Sequence, residues 1–102
     1  MPIFTILVDV NPTSGDFLYN PSTLRIVNVT AAQIIFSSPH DFAITFLDDT
    51  PIGTMVVNSA GGVPTPPFNV TPGASGHYHY AVAMFAAGRV YLDAGCPDIV
   101  IN

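Results

Sequence analysis

Phe42, Ile44 and Phe46 alternate with Asp41, Ala43 and Thr45, and the same period of two returns along most of the chain. An extended backbone turns successive side chains to opposite faces, so this alternation specifies strands with one face buried. No stretch carries the three-to-four spacing, cap and stop of a helix.

Turn residues cut the alternating runs into short pieces. FTILVDV (Phe4 to Val10) ends at Asn11-Pro12 and a Thr-Ser-Gly-Asp cluster. TLRIVNV (Thr23 to Val29) puts Leu24, Ile26 and Asn28 on one face and Arg25, Val27 and Val29 on the other. QIIFSS (Gln33 to Ser38) and DFAITFLDD (Asp41 to Asp49) flank Pro39-His40, and TMVVN (Thr54 to Asn58) leads to Gly61-Gly62. Pro64, Pro66 and Pro67 cannot donate to a central ladder, so the segment from Val63 onward reads as an edge or loop excursion. A further strand starts at Tyr78, and the last, RVYLD (Arg89 to Asp93), is extended by DIVIN (Asp98 to Asn102). About seven or eight short strands at this spacing predict an all-β, Greek-key sandwich or barrel. At 102 residues the expectation is a single domain, residues 1–102.

Charge limits the partners. Lys plus Arg number 2 against 7 Asp plus Glu, a net charge of -5, so the chain lacks the cationic patch that nucleic acids and anionic membranes require. No apolar run approaches the roughly 18 to 20 residues of a membrane span. Met1-Pro2 leads directly into a strand-like run, so no signal peptide is expected here; the compartment stays open between a cytoplasmic protein and one whose leader has been removed. Charged residues make up only 9%, far below the roughly 25% of ordinary soluble domains. A surface built so largely of apolar and small polar groups favours association, as a homo-oligomer or with a protein partner. Asn28-Val29-Thr30 and Asn69-Val70-Thr71 fit the short glycosylation pattern.

Several constellations could carry chemistry. His77 and His79 form an H-x-H pair that a strand places on one face, able to hold Cu(II), Zn(II) or Ni(II), with His40 as a third ligand if the loops converge. The alternative leaves both histidines facing solvent beside inward Tyr78 and Tyr80. Ser38, His40 and Asp41 supply the residue types of a hydrolase, but neighbours on a strand point to opposite faces. Asp48-Asp49 ahead of Thr50-Pro51 reads as a solvated turn. A single cysteine, Cys96, rules out an intramolecular disulfide. Val63, Pro64, Pro66, Pro67 and Phe68 form a proline-aromatic loop of the kind that serves recognition or folds over the core.

The order of these motifs resembles the cupredoxins, the blue-copper sandwiches of the plastocyanin and azurin type. Phe17 to Pro21 followed by LRIVNV resembles the family's first half, and QIIFSSPHDFAITF its strand, loop and first ligand histidine. Gly76-x-Tyr78-x-Tyr80 and Ala87-Gly88-x-Val90 are similar to its closing hairpin. The resemblance implies a copper site of two imidazoles, a thiolate and an axial thioether. His40 matches the first histidine. Val82 stands at the cysteine position, and the second histidine and methionine positions fall near Phe85 and at Ala86. Met84 lies off the required spacing, and Cys96 falls beyond the hairpin.

These readings lead to a cupredoxin-like sandwich without type 1 copper and with no cofactor, a non-enzymatic binding or assembly module. Its contact surface is expected at the His40 end together with Val63 to Phe68. The alternative is a histidine-based Cu(II) or Zn(II) protein for metal transport or sensing, using His40, His77 and His79.

Overall fold

The computed structural model describes residues 2–27, 31–95 and 97–102. Among them are ten strands and no helix: β1 (Ile3–Val10), β2 (Phe17–Asn20), β3 (Thr23–Ile26), β4 (Gln33–Ser37), β5 (Asp41–Phe46), β6 (Val56–Ser59), β7 (Phe68–Asn69), β8 (Gly76–Ala86), β9 (Arg89–Asp93) and β10 (Asp98–Ile101). One sheet runs β2-β1-β4-β7; the other runs β3-β10-β8-β5-β6, with β9 paired to β8. Both are mixed, since β1 pairs β4 and β3 pairs β10 in parallel while the other pairs are antiparallel. None of the described residues belongs to a helix long and apolar enough to cross a membrane.

The all-β, two-sheet architecture expected from the period of two is present. Ile6, Val8 and Val10 of β1 and Ile34 and Phe36 of β4 meet Phe42, Ile44 and Phe46 of β5 and Tyr78, Tyr80, Val82 and Met84 of β8 in one buried cluster. Ile99 and Ile101 of β10 close it. Each such side chain contributes roughly 1.5–3 kcal/mol through removal from water. Four aromatic rings meet at its centre: Tyr80 stands edge-on to Tyr19 and Phe36 and tilted against Phe46, with centroids 5.6 to 6.4 Å away.

The strand count exceeds the expected seven or eight for local reasons. Phe17–Asn20 pairs with the end of β1, and the proline-rich excursion touches down for two residues, Ile34 opposite Phe68 and Gln33 opposite Asn69. The closing run divides as well. β9 follows β8 from Ala86 down to Val82 opposite Asp93, and β10 resumes at Asp98 opposite His79. The pairing therefore passes from Asp93 opposite Val82 to Asp98 opposite His79, so the connection between β9 and β10 is longer than the Tyr80-Ala81 stretch it spans, a bulge in the ladder. Gly95 sits in it at φ 125, a backbone conformation that favours glycine over residues with a Cβ. The bulge keeps β9 and β10 on the same edge of the long strand β8, and it decides which side chains flank His79.

Candidate functional site

At one end of the sandwich, His40 closes the turn between β4 and β5. Its backbone N–H donates to Ser38 Oγ at 3.0 Å, and Ser38 Oγ, itself buried, lies 3.9 Å from Met84 Sδ. The half-buried His40 imidazole turns instead to β1, with Nε2 3.3 Å from Asp9 Oδ1. Asp41 Oδ1 accepts the Gly61 N–H at 2.6 Å. Gly61 is required there, because a Cβ would lie 2.6 Å from the Pro39 carbonyl oxygen and 3.0 Å from His40 Cα. Ser38, His40 and Asp41 therefore each hold a different partner and form no nucleophile-base relay.

The remaining positions that match the copper ligands lie on β8. Val82, Met84 and Ala86 are buried in the core, and Phe85 faces solvent. Ala86 and Arg89 pair directly across a two-residue turn, Ala87 at φ 52 and Gly88 at φ 74. Positive φ at both central residues is the pattern of the tight hairpin turn whose twist suits two antiparallel strands. Cys96 and the Asn28-Val29-Thr30 glycosylation pattern lie outside the described residues. Of the other pattern, Asn69 is exposed and its Oδ1 accepts from Gln33 Nε2 at 3.0 Å.

His77 and His79 lie at the other end of the same strand. Both are exposed while Tyr78 and Tyr80 point inward, as the alternation requires. Asp41 pairs with Phe85, eight positions along β8 from His77, so at about 3.3 Å per residue His40 is some 25 Å away and does not converge with the pair. The third group beside the histidines is Asp98. It pairs directly with His79 across β8 and β10, and its Oδ2 lies 3.7 Å from His77 Nδ1. One ligand atom from each of His77, His79 and Asp98 falls within 4.8 Å of the others. The two imidazoles are nearly parallel, 6.5 Å between centroids and 20° between planes. Thr23, opposite Asp98 on β3, donates its hydroxyl to Asp98 Oδ1 at 2.6 Å and orients the carboxylate. Asp98 is missing from the sequence reading because its position depends on the bulge between β9 and β10.

A third feature lies on the outward face of β6, β5, β8 and β9. Opposed residues of antiparallel strands share a face, so three rows form: Val56, Thr45 and Ala81; Asn58, Ala43, Ala83 and Leu92; Asp41, Phe85 and Val90. Leu92 is 75% exposed, Val90 63%, Phe85 53% and Val56 52%. Between these large side chains the alanines leave a shallow trough of about 400 Å³ bordered by Phe85, Val90 and Asn58. No charged residue interrupts the middle row.

The Val63 to Phe68 segment divides. Val63, Pro64, Pro66 and Pro67 are exposed, but Thr65 is buried and exchanges hydrogen bonds with Phe36, its N–H reaching the Phe36 carbonyl at 2.9 Å and its Oγ1 accepting the Phe36 N–H at 3.0 Å. Phe68 packs against the core. The segment thereby covers the free edge of β4. Asp48 and Asp49 are exposed, and Asp49 Oδ1 accepts the next N–H, as expected of a solvated turn.

Tyr80 is the exception among the polar groups: among the described residues its buried hydroxyl has no hydrogen-bond partner. Burial, with the carboxylates of Asp98 and Asp93 nearby, holds its phenol well above the ordinary range.

No protein-family model matches the chain, and no curated protein matches it. Among solved structures it is similar to a novel purple cupredoxin from Nitrosopumilus maritimus, at 15% identity over 96% of this chain and 98% of that one, with a TM-score of 0.48.

Proposed function

We propose that this chain is a non-enzymatic assembly module on a cupredoxin-like scaffold without type 1 copper, and that it assembles with a second copy of itself. The observation that carries this reading is the apolar outward face of β6, β5, β8 and β9. Four strands about 4.8 Å apart and about five residues long give it roughly 300 Å² in projection. That is the lower end of the size of the largest patch on a typical monomer, a patch that is often functional. This sheet face, which the hairpin tip and Leu92 extend, joins the His40 end and the exposed Val63, Pro64, Pro66 and Pro67 as a proposed contact surface.

Shape favours a second copy as the occupant: the exposed Phe85, Val90 and Leu92 of one copy meet the alanine trough of the other about a two-fold axis along the middle row, an isologous contact. Arg89 pairs with the inward Ala86 and so lies on the opposite face, which leaves the contact apolar with Asp41 at its rim. A standard interface takes about 800 Å² per partner, close to a seventh of the 5471 Å² accessible surface. The roughly 300 Å² of the face is less than half of that, so the dimer is weak and transient.

The donor set at the His40 end does not fit a blue-copper centre. Among the described residues it offers one imidazole, already directed at Asp9, and a thioether turned into the core against Ser38. A tight hairpin turn takes the place of a ligand loop.

Sedimentation velocity over a concentration series tests the proposal. A shift from monomer to dimer is expected, with Leu92→Asp and Phe85→Asp each monomeric and folded. A wild-type chain that stays monomeric to several hundred micromolar overturns self-association and leaves the face to a different protein. A dimer that survives both substitutions overturns the placement.

A further inference from the structure

We propose that His77, His79 and Asp98 form a binding site for a divalent transition metal, with Cu(II) held more tightly than Zn(II). The site continues the outward face of β8 that carries Ala81, Ala83 and Phe85, at the opposite end of the strand from His40.

Three neighbouring strands build it. β8 sets the two imidazoles on one face, two residues apart, and β10 places Asp98 directly across from His79. β3 supplies Thr23, whose hydroxyl takes up Asp98 Oδ1 and leaves Oδ2 directed at His77. A carboxylate oriented from behind in this way is the usual support of a metal ligand. Asp98 is mostly buried while His77 is 66% exposed, so the acidic ligand is fixed and the imidazoles move.

Distances allow closure. Ligand atoms about 2.1 Å from a tetrahedral ion lie about 3.4 Å apart. The 3.7 Å between His77 Nδ1 and Asp98 Oδ2 is already near that value, and the full set falls within 4.8 Å. Rotation of two exposed imidazoles covers the remaining ångström. Two nitrogens and one carboxylate oxygen, with water in the open positions, suit Cu(II), Ni(II) and Zn(II), and the common affinity order of these ions puts Cu(II) first. Two imidazole nitrogens among three ligands disfavour Ca(II) and Mg(II), which take oxygen ligands.

Titration of the full chain with Cu(II) and Zn(II), read by calorimetry and electron paramagnetic resonance, tests the site. It is run on the wild type and on Leu92→Asp, so that its result does not depend on association. The expected result is one Cu(II) per chain in both, with hyperfine splitting from two ring nitrogens and weaker Zn(II) binding. His77→Ala and His79→Ala, both at exposed positions, each lower Cu(II) affinity at least tenfold, Asp98→Asn lowers it about tenfold, and His40→Ala leaves it unchanged. Absence of stoichiometric Cu(II) binding overturns the proposal. So does binding that survives the double variant His77→Ala/His79→Ala, or that disappears in His40→Ala.

Discussion

Asp98 lies directly across from His79 on paired antiparallel strands, and its free carboxylate oxygen is 3.7 Å from the Nδ1 of His77. The relationship depends on Thr23, which holds the other oxygen at 2.6 Å. Thr23→Val keeps the shape of the side chain and removes the donor. Supporting residues of this kind typically change metal affinity 10- to 100-fold. Thr23→Val is therefore expected to weaken Cu(II) binding about tenfold in calorimetry, with an unchanged number of sites.

The Tyr80 hydroxyl is buried with no partner among the described residues. An unsatisfied buried polar group costs about 1–3 kcal/mol. Tyr80→Phe keeps the ring contacts with Tyr19, Phe36 and Phe46 and removes the cost, so chemical denaturation should show a stability equal to or up to about 2 kcal/mol above the wild type.

The same hydroxyl sets an alkaline limit. Its folded pKa is raised above the unfolded value of about 10, first by burial and then by Asp98 and Asp93. The unfolded chain loses this proton at a lower pH than the folded one, so the stability contribution is complete below pH about 10 and falls as pH rises further. Denaturation midpoints measured from pH 8 to 11 should decline more steeply for the wild type than for Tyr80→Phe.

Ala87 sits at φ 52 in the β8-β9 turn, a conformation that costs a non-glycine residue roughly 1 kcal/mol. Asn-Gly is the favoured pair in such a turn. Ala87→Asn is expected to raise stability by about 0.5–1 kcal/mol, read as a higher denaturant midpoint with an unchanged slope.

Period-two alternation made much of this architecture readable. Phe42, Ile44, Phe46, Tyr78 and Tyr80 are inward, and His77 and His79 outward, as their spacing requires. Alternation specifies a face but not a neighbour. The contact of Asp98 with His77 depends on the ladder shifting between Asp93 opposite Val82 and Asp98 opposite His79, and nothing in DAGCPD reveals the size of that shift. The apolar face is hidden for a related reason: Ala43, Ala83 and Leu92 are ordinary outward residues on their own strands and become one row only in the paired register. Phe68 was legible as apolar, but its place over the core follows from a two-residue pairing with β4 that three prolines obscure.

Sedimentation velocity of the wild type beside Leu92→Asp, each from about 5 to 500 micromolar, a span that brackets a weak interface, tests the central claim most directly. A wild-type coefficient that rises with concentration toward the dimer, against a constant monomer value for Leu92→Asp, is the predicted result. A concentration-independent monomer for both, or the same rise in both, contradicts assembly through this face.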